Sequence, residues 1–503
     1  MRSFLIFALP VALALDSLVV STSSGLLLGA VDSVTPDVVH FLGVPYAEPP
    51  VKARRWRPAV RKTAECGKFI DATEFGPACP QYHGSAPTTW LVDAPEFHNQ
   101  PEDYQDEDCL SVNIWAPWKD NATAALPVVA WIHGGSFQTG GAQTPYHNPS
   151  RWVQRSGKHI VVGINYRLNI FGWPNATALK SNEVNLGYLD QRLAVEWIRD
   201  NIAKFGGDPE RITLWGHSAG SVSVDSYELA YPHDPIVNGL IMSSGTAQSV
   251  VKFGAANFTT VAEHFNCDNP NATAELDCMR DVPFLDITNW LKQRLDNKTT
   301  PAIAFTPIVD NRTMWANVTD RALSGEFIRK PAIIGTVVNE WGPFLPYNRT
   351  FGPNQTLADN GTLAVFLCPS VQTTHERYAG GNATTFRYLY GGNFSNIAPL
   401  WWEGAYHSAD LPLIFGTHGI ARGNSTPFEI EVSKKMQDYF LAFVEDPEHG
   451  LPSAGWHGYA GDSSGESTLF GWKDSAIRPI PDKELESGCD EGVPNGKPKP
   501  PTS

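Results

Sequence analysis

The stretch RITLWGHSAG, residues 211–220, decides how this chain is read. Arg211 to Trp215 is short, apolar and rich in β-formers, the profile of a strand buried on both faces. It runs directly into Gly216-His217-Ser218-Ala219-Gly220, after which Ser221 to Tyr231 reads as a helix. A serine on a sharp strand-to-helix turn needs small neighbours, because the backbone is strained and a helix packs close behind. Gly216 and Gly220 supply that room. The helix N-terminus adds favourable potential for a developing negative charge. GxSxG alone is a weak signal in 503 residues; the strand before it and the helix after it give it context.

Working outward, LPVVAWI (126–132), HIVVGIN (159–165), GLIMSS (239–244) and PAIIGTVV (331–338) are further short, β-branched, doubly apolar runs. Helical stretches lie between them. In LDQRLAVEWIRDNIAK (189–204), Leu193, Val195, Ile198 and Ile202 give an approximate apolar face. This alternation predicts an α/β fold with a mainly parallel sheet covered on both faces, its reactive groups in loops beyond the carboxyl ends of the strands. One such loop is His133-Gly134-Gly135-Ser136, at the end of the 126–132 strand. A tetrahedral acyl intermediate needs backbone N–H groups aimed at its oxyanion, and glycines let the backbone approach. Gly135, Ser136 and Ala219 are the candidate donors.

These motifs, with FLGVPYAEPP (41–50), EDCLSVNIWAP (107–117), WIHGGSFQTG (131–140), NYRLNIFGW (165–173) and the long run 185–220, resemble the type-B carboxylesterase and cholinesterase-like family. The resemblance is dense in the N-terminal half and reduced to islands after it. It implies an α/β-hydrolase fold, with a large mainly parallel central sheet, helices on both faces and long loop insertions. It also implies a Ser-Glu-His triad. Asn339-Glu340-Trp341-Gly342 resembles the family's acid loop, with Asn for the first acid and Trp inserted before the Gly. The segment 404–416, GAYHSADLPLIFG, resembles the loop of the catalytic histidine, His407. Ser218, Glu340 and His407 follow the chain order expected of the fold. Asp310 is the rival acid, and Asp410 reads as structural. His217, next to the serine on a tight turn, is expected to point elsewhere. Choline-hydrolysing members carry Glu there, so His217 argues against a cationic choline substrate. The family's glycine triplet ends here in Ser136, whose Cβ is expected to narrow the pocket or demand a different backbone angle.

The resemblance further implies disulfides Cys79–Cys109, Cys267–Cys278 and Cys368–Cys489, leaving Cys66 over, either buried or in an intermolecular bridge. The Cys79–Cys109 loop flanks the site and acts as a lid in the family's lipases. Here it carries Trp90, Leu91, Val92 and Phe97, but also Asp93, Glu96, Glu102, Asp103, Asp106, Glu107 and Asp108. An interfacial lid needs a sizeable apolar face, so the loop favours soluble esters over triglyceride. Lipase or sterol esterase action, transesterification, and a non-catalytic binding protein of the same fold remain alternatives.

Composition fits a globular chain: 42% hydrophobic, 18% charged, with 38 Lys+Arg against 53 Asp+Glu for a net charge of -15. Without a basic stripe this is not a nucleic-acid binder. No HExxH or CxxC pair suggests a metal site, no cofactor is expected, and the oligomeric state is not legible. Arg2, the apolar run Phe4 to Leu15 and Ala12-Leu13-Ala14 read as a secretory signal peptide over 1–20. A catalytic domain is expected over 21–490 and a polar, Pro-rich disordered tail over 491–503, with no membrane span and no GPI signal. Thirteen Asn-x-Ser/Thr sequons begin at Asn121, Asn175, Asn257, Asn271, Asn297, Asn311, Asn317, Asn348, Asn354, Asn360, Asn382, Asn393 and Asn424. Each is a candidate glycosylated surface position.

Overall fold

The computed structural model describes residues 18–65, 67–98, 104–118, 125–249, 258–490 and 493–494. The first seventeen residues of the expected signal peptide, Cys66, Glu102, Asp103, Asn121, Asn257 and nearly all of the expected tail lie outside them.

The central feature is an 11-stranded sheet. Its middle is parallel: Leu126–Ile132 pairs with Ile160–Ile164 on one side and Gly207–His217 on the other. From Gly207–His217 the parallel ladder continues through Gly239–Ser243, Ala332–Val337, Thr385–Tyr390 and Glu466–Trp472. Both margins are antiparallel. Ser111–Pro117, Val38–Pro45 and Ala30–Val31 close one edge, and Ser475–Pro481 the other. The doubly apolar runs of the sequence are thus the parallel centre. The antiparallel margins carry no βαβ signal and were not legible as strands.

Alternation along each strand feeds two cores. Val128, Ala130 and Ile132 face one, Val129 and Trp131 the other; Leu214 and Trp215 divide in the same way. The first core is covered by Ala194, Val195 and Ile198 of helix Leu186–Asn201 and by Val222 and Val224 of helix Ala219–Ala230. The second is covered by Val432, Met436, Phe440 and Phe443 of helix Pro427–Glu445. Side chains of period two therefore meet helices on both faces, as a sheet buried on two sides requires.

Disulfides join Cys79 to Cys109, Cys267 to Cys278 and Cys368 to Cys489. Among the described residues no helix is long and apolar enough to cross a membrane. Every sequon asparagine among them is exposed.

Candidate active site

Ser218 lies between strand Gly207–His217 and helix Ala219–Ala230 at φ 54°, ψ -122°. A side-chain-bearing residue adopts this region only when its surroundings enforce it. The enforcement is visible in backbone contacts. The Ser218 N–H donates to the Ser243 carbonyl at 2.9 Å. A Cβ on Gly216 would lie 2.1 Å from the Gly220 carbonyl oxygen, and one on Gly220 would lie 2.1 Å from that of Ile132. The two glycines thus let the turn close on itself and let the helix press against the neighbouring strand.

The loop after Ile132 is built the same way. A Cβ on Gly134 would lie 2.9 Å from the Cβ of Ser218, which brings the two loops into contact. Gly135 has φ 110°, and its carbonyl accepts N–H groups from Gln138 and Thr139. Ser136 and Phe137 follow at φ 56° and 62°. The serine that replaces glycine here accepts the unusual backbone angle, and it also lines the cavity beside Ser218.

Glu340 and His407 come from loops that converge on the same end of the sheet. Glu340 follows strand Ala332–Val337, and its Oε1 accepts the Val337 N–H at 2.9 Å. Its Oε2 lies 2.5 Å from His407 Nδ1, with both residues buried. Burial pushes the Glu340 carboxyl up to about 8, against the pull of the Val337 N–H and the neighbouring Ser244 hydroxyl. Burial drives the His407 imidazole down to about 3. Its Nε2 is buried with no hydrogen-bond partner, so the serine and the imidazole are not joined in this structure. Catalytic hydrogen bonds often tighten only when substrate is bound.

The rival acid has other work. Asp310 accepts the N–H groups of Arg312, Thr313 and Met314 and the Thr313 hydroxyl, which holds a turn. Asp410 accepts the Tyr388 hydroxyl at 2.8 Å. His217 is not among the residues lining the cavity at Ser218, but it is closer to the chemistry than its position on the turn suggested. Its ring centroid lies 4.6 Å from that of His407.

The cavity at Ser218 has a volume of about 170 Å³. Ser136, Ser218 and Ala219 line one wall; Phe137, Tyr188, Trp341, Phe344 and Phe366 make it apolar and aromatic. Phe344 and Phe366 also pack on His407, at 5.1 and 4.8 Å between ring centroids, and Trp90 approaches it at 6.1 Å. Sequence reading missed Phe344 and Phe366 as site residues, because nothing in a local pattern marks an aromatic that reaches a site from a distant loop. A larger cavity, about 450 Å³, lies behind the acid loop against Asn339, Trp402 and Leu485. It does not touch Ser218, and the nucleophile candidate identifies the smaller cavity as the site.

The Cys79–Cys109 loop is held down by its own acids. Asp93 is buried against Arg349 and the Tyr347 hydroxyl, Glu96 pairs with Arg422 at 2.6 Å, and Glu107 pairs with Arg55 at 2.5 Å. In the sequence these carboxylates weigh against an apolar lid face; in the fold they are fasteners. Among the described residues no group of three or more His, Cys, Asp or Glu side chains is placed to hold a metal ion.

The sheet, the strained serine turn and the acid–histidine pair beyond its strands define an α/β-hydrolase. The chain belongs to the carboxylesterase family, whose profile matches residues 16–360 and 352–473, and it is thereby a carboxylic ester hydrolase. It is 40% identical over 496 residues to secreted lipase 5 of Gibberella zeae, covering 91% of this chain and 92% of the relative. It is 43% identical over 440 residues to a chlorogenic acid esterase of Aspergillus niger, covering 86% and 84%. It is 29% identical over 462 residues to a para-nitrobenzyl esterase of Bacillus subtilis, covering 86% and 91%.

Proposed function

We propose that the chain is a secreted carboxylesterase that hydrolyses dissolved esters through Ser218, His407 and Glu340. Glu340 accepts the Nδ1–H of His407 and fixes the tautomer that leaves Nε2 free to take a proton. His407 Nε2 removes the Ser218 hydroxyl proton as Oγ attacks the ester carbonyl. The oxyanion is held by the N–H groups of Gly135, Ser136 and Ala219, a contribution of about 3–4 kcal/mol for each donor. His407 then returns the proton to the leaving alcohol. Water, deprotonated by the same nitrogen, releases the acid from the acyl-serine.

The observation that carries this reading is the 2.5 Å contact between Glu340 and His407 at the strand ends that also hold the strained Ser218. Ser218→Ala is expected to abolish turnover of p-nitrophenyl acetate, and persistent turnover would refute the assignment.

The size of the cavity supports a compact acyl group, planar or short, and its aromatic walls suit a ring. The relative named chlorogenic acid esterase fits that preference. The fastened Cys79–Cys109 loop supports soluble esters, since an interfacial lid has to move. The relatives named lipases keep the second reading open. Equal rates on emulsified long-chain triglyceride and on dissolved short-chain esters would establish it instead. Secretion, with glycans on the exposed sequons, is supported by the N-terminal apolar run and by the relative named as secreted.

A further inference from the structure

Two side chains are conspicuous for lacking a cover. Phe351 is 79% exposed and Trp401 72%, the two most exposed large apolar residues among those described. They are neighbours. The Trp401 indole N–H donates to the Thr350 carbonyl at 2.8 Å. Phe351 sits at the tip of a turn closed by Asn348 and Gly352, whose N–H groups reach each other's carbonyls at 3.2 and 2.7 Å. Large apolar side chains clustered in water mark a surface that something else covers.

Sequons bracket this tip on both sides: Asn348-Arg349-Thr350 and Asn354-Gln355-Thr356, each three residues from Phe351. The asparagines are held differently. Asn348 folds its oxygen back on the N–H groups of Thr350 and Phe351, inside the turn. Asn354 caps helix Gln355–Gly361, its Oδ1 accepting the Leu357 N–H at 3.2 Å. Both arrangements use the side-chain oxygen and leave the amide nitrogen, the atom that carries a glycan, outside the bonds; at Asn354 the side chain is fixed by a helix cap rather than by the turn that carries Phe351. A pyranose ring presents a face of C–H bonds, which complements the negative face of an aromatic ring.

We propose that an N-linked glycan on Asn354 folds back over Phe351 and Trp401, its first sugar packing on the two aromatic rings. The occupant is a modification of this chain itself, and the inference rests on occupancy of that sequon, independently of the triad. The covered tip belongs to the segment whose Tyr347 and Arg349 hold Asp93 of the Cys79–Cys109 loop, so the glycan would brace the anchor of that loop. A lipid surface is the rival occupant. Two sequons within three residues of the tip and the acidic loop beside it favour the sugar.

The test uses full-length protein secreted from a eukaryotic host. Thr356→Ala removes the sequon while keeping the Asn354 cap; Thr356→Ser keeps both. Glycopeptide mapping is expected to find Asn354 occupied in wild type and Thr356→Ser and empty in Thr356→Ala. Thr356→Ala is expected to lower Tm by about 1–2 °C, with no loss of p-nitrophenyl acetate turnover. In a Phe351→Ala background, with Asn354 still occupied, the same change is expected to leave Tm unmoved; Thr356→Ser is expected to match wild type. An unoccupied Asn354, or an equal Tm shift in both backgrounds, overturns the proposal. So does partitioning of the glycosylated wild type into phosphatidylcholine vesicles that Phe351→Ala abolishes.

Discussion

The serine side of the site and the histidine side are built on different principles. Around Ser218 the geometry is fixed by backbone meeting backbone: Gly216 against Gly220, Gly220 against Ile132, Ser218 against Ser243. Around His407 it is fixed by side chains arriving from separate loops: Glu340, Phe344, Phe366 and Trp90. Backbone contact allows almost no substitution, whereas a wall of aromatics can be rebuilt from other residues of similar volume. The backbone contacts around Ser218 therefore leave little room for change, whereas the aromatic residues around the Glu340–His407 pair can vary without moving that pair.

The sharpest way to test that division is on the histidine side's one irreplaceable contact. Glu340→Gln keeps the shape but removes the charge and misdirects the tautomer, and kcat is expected to fall about 10⁴-fold with the fold intact by circular dichroism. A milder loss would mean that the acid is as replaceable as the aromatics around it. On the serine side, Gly216→Ala places a methyl group 2.1 Å from a backbone oxygen. The strain is expected to cost about 3 kcal/mol or more, read as a lowered urea midpoint together with lost activity. A variant of wild-type stability would show that the turn tolerates side chains.

Phe366→Ala should open the aromatic wall without disabling the chemistry. The ratio of kcat/KM for a bulky acyl ester over acetate is expected to rise about tenfold, worth about 1.4 kcal/mol. A uniform drop on all esters would show that Phe366 cannot vary without disturbing the Glu340–His407 pair. The smallest effect concerns the C-terminal scaffold. Burial alone would raise the Glu486 carboxyl, but His375, Arg387 and Ser463 pull it down to about 2. A carboxyl depressed in the folded state adds stability above its unfolded pKa near 4.5, and that stability is lost as pH falls from there toward 2. Glu486→Gln is expected to flatten the acid-unfolding curve between pH 5 and 2 while leaving neutral kinetics alone.

The same contrast explains what could be read before any coordinates. The strand from Arg211, the turn and the helix from Ser221 were legible because each obeys a local rule of periodicity or of glycine spacing; the strand's start at Gly207 was not. The pairing of Glu340 with His407 was reached only through family resemblance, since 67 residues separate them and neither carries a local signature. Phe344 and Phe366 were not legible at all. The acids of the Cys79–Cys109 loop were visible, but their partners Arg349, Arg422 and Arg55 are far away in sequence, so their pairing was not. The approach of His217 to His407 was not legible, because His407 belongs to another loop.

The bond between Cys368 and Cys489 has a sequence separation of 121 and makes a covalent ring that encloses His407. A protease that cuts an exposed segment inside this ring, such as the one around Arg422 and Gly423, severs the polypeptide but releases nothing. The two pieces stay joined through sulfur, so the C-terminal piece, with strands Glu466–Trp472 and Ser475–Pro481, stays tethered to the piece that carries Ser218 and His407. Nicking and inactivation are thus separate events for this enzyme as long as its surroundings remain oxidising.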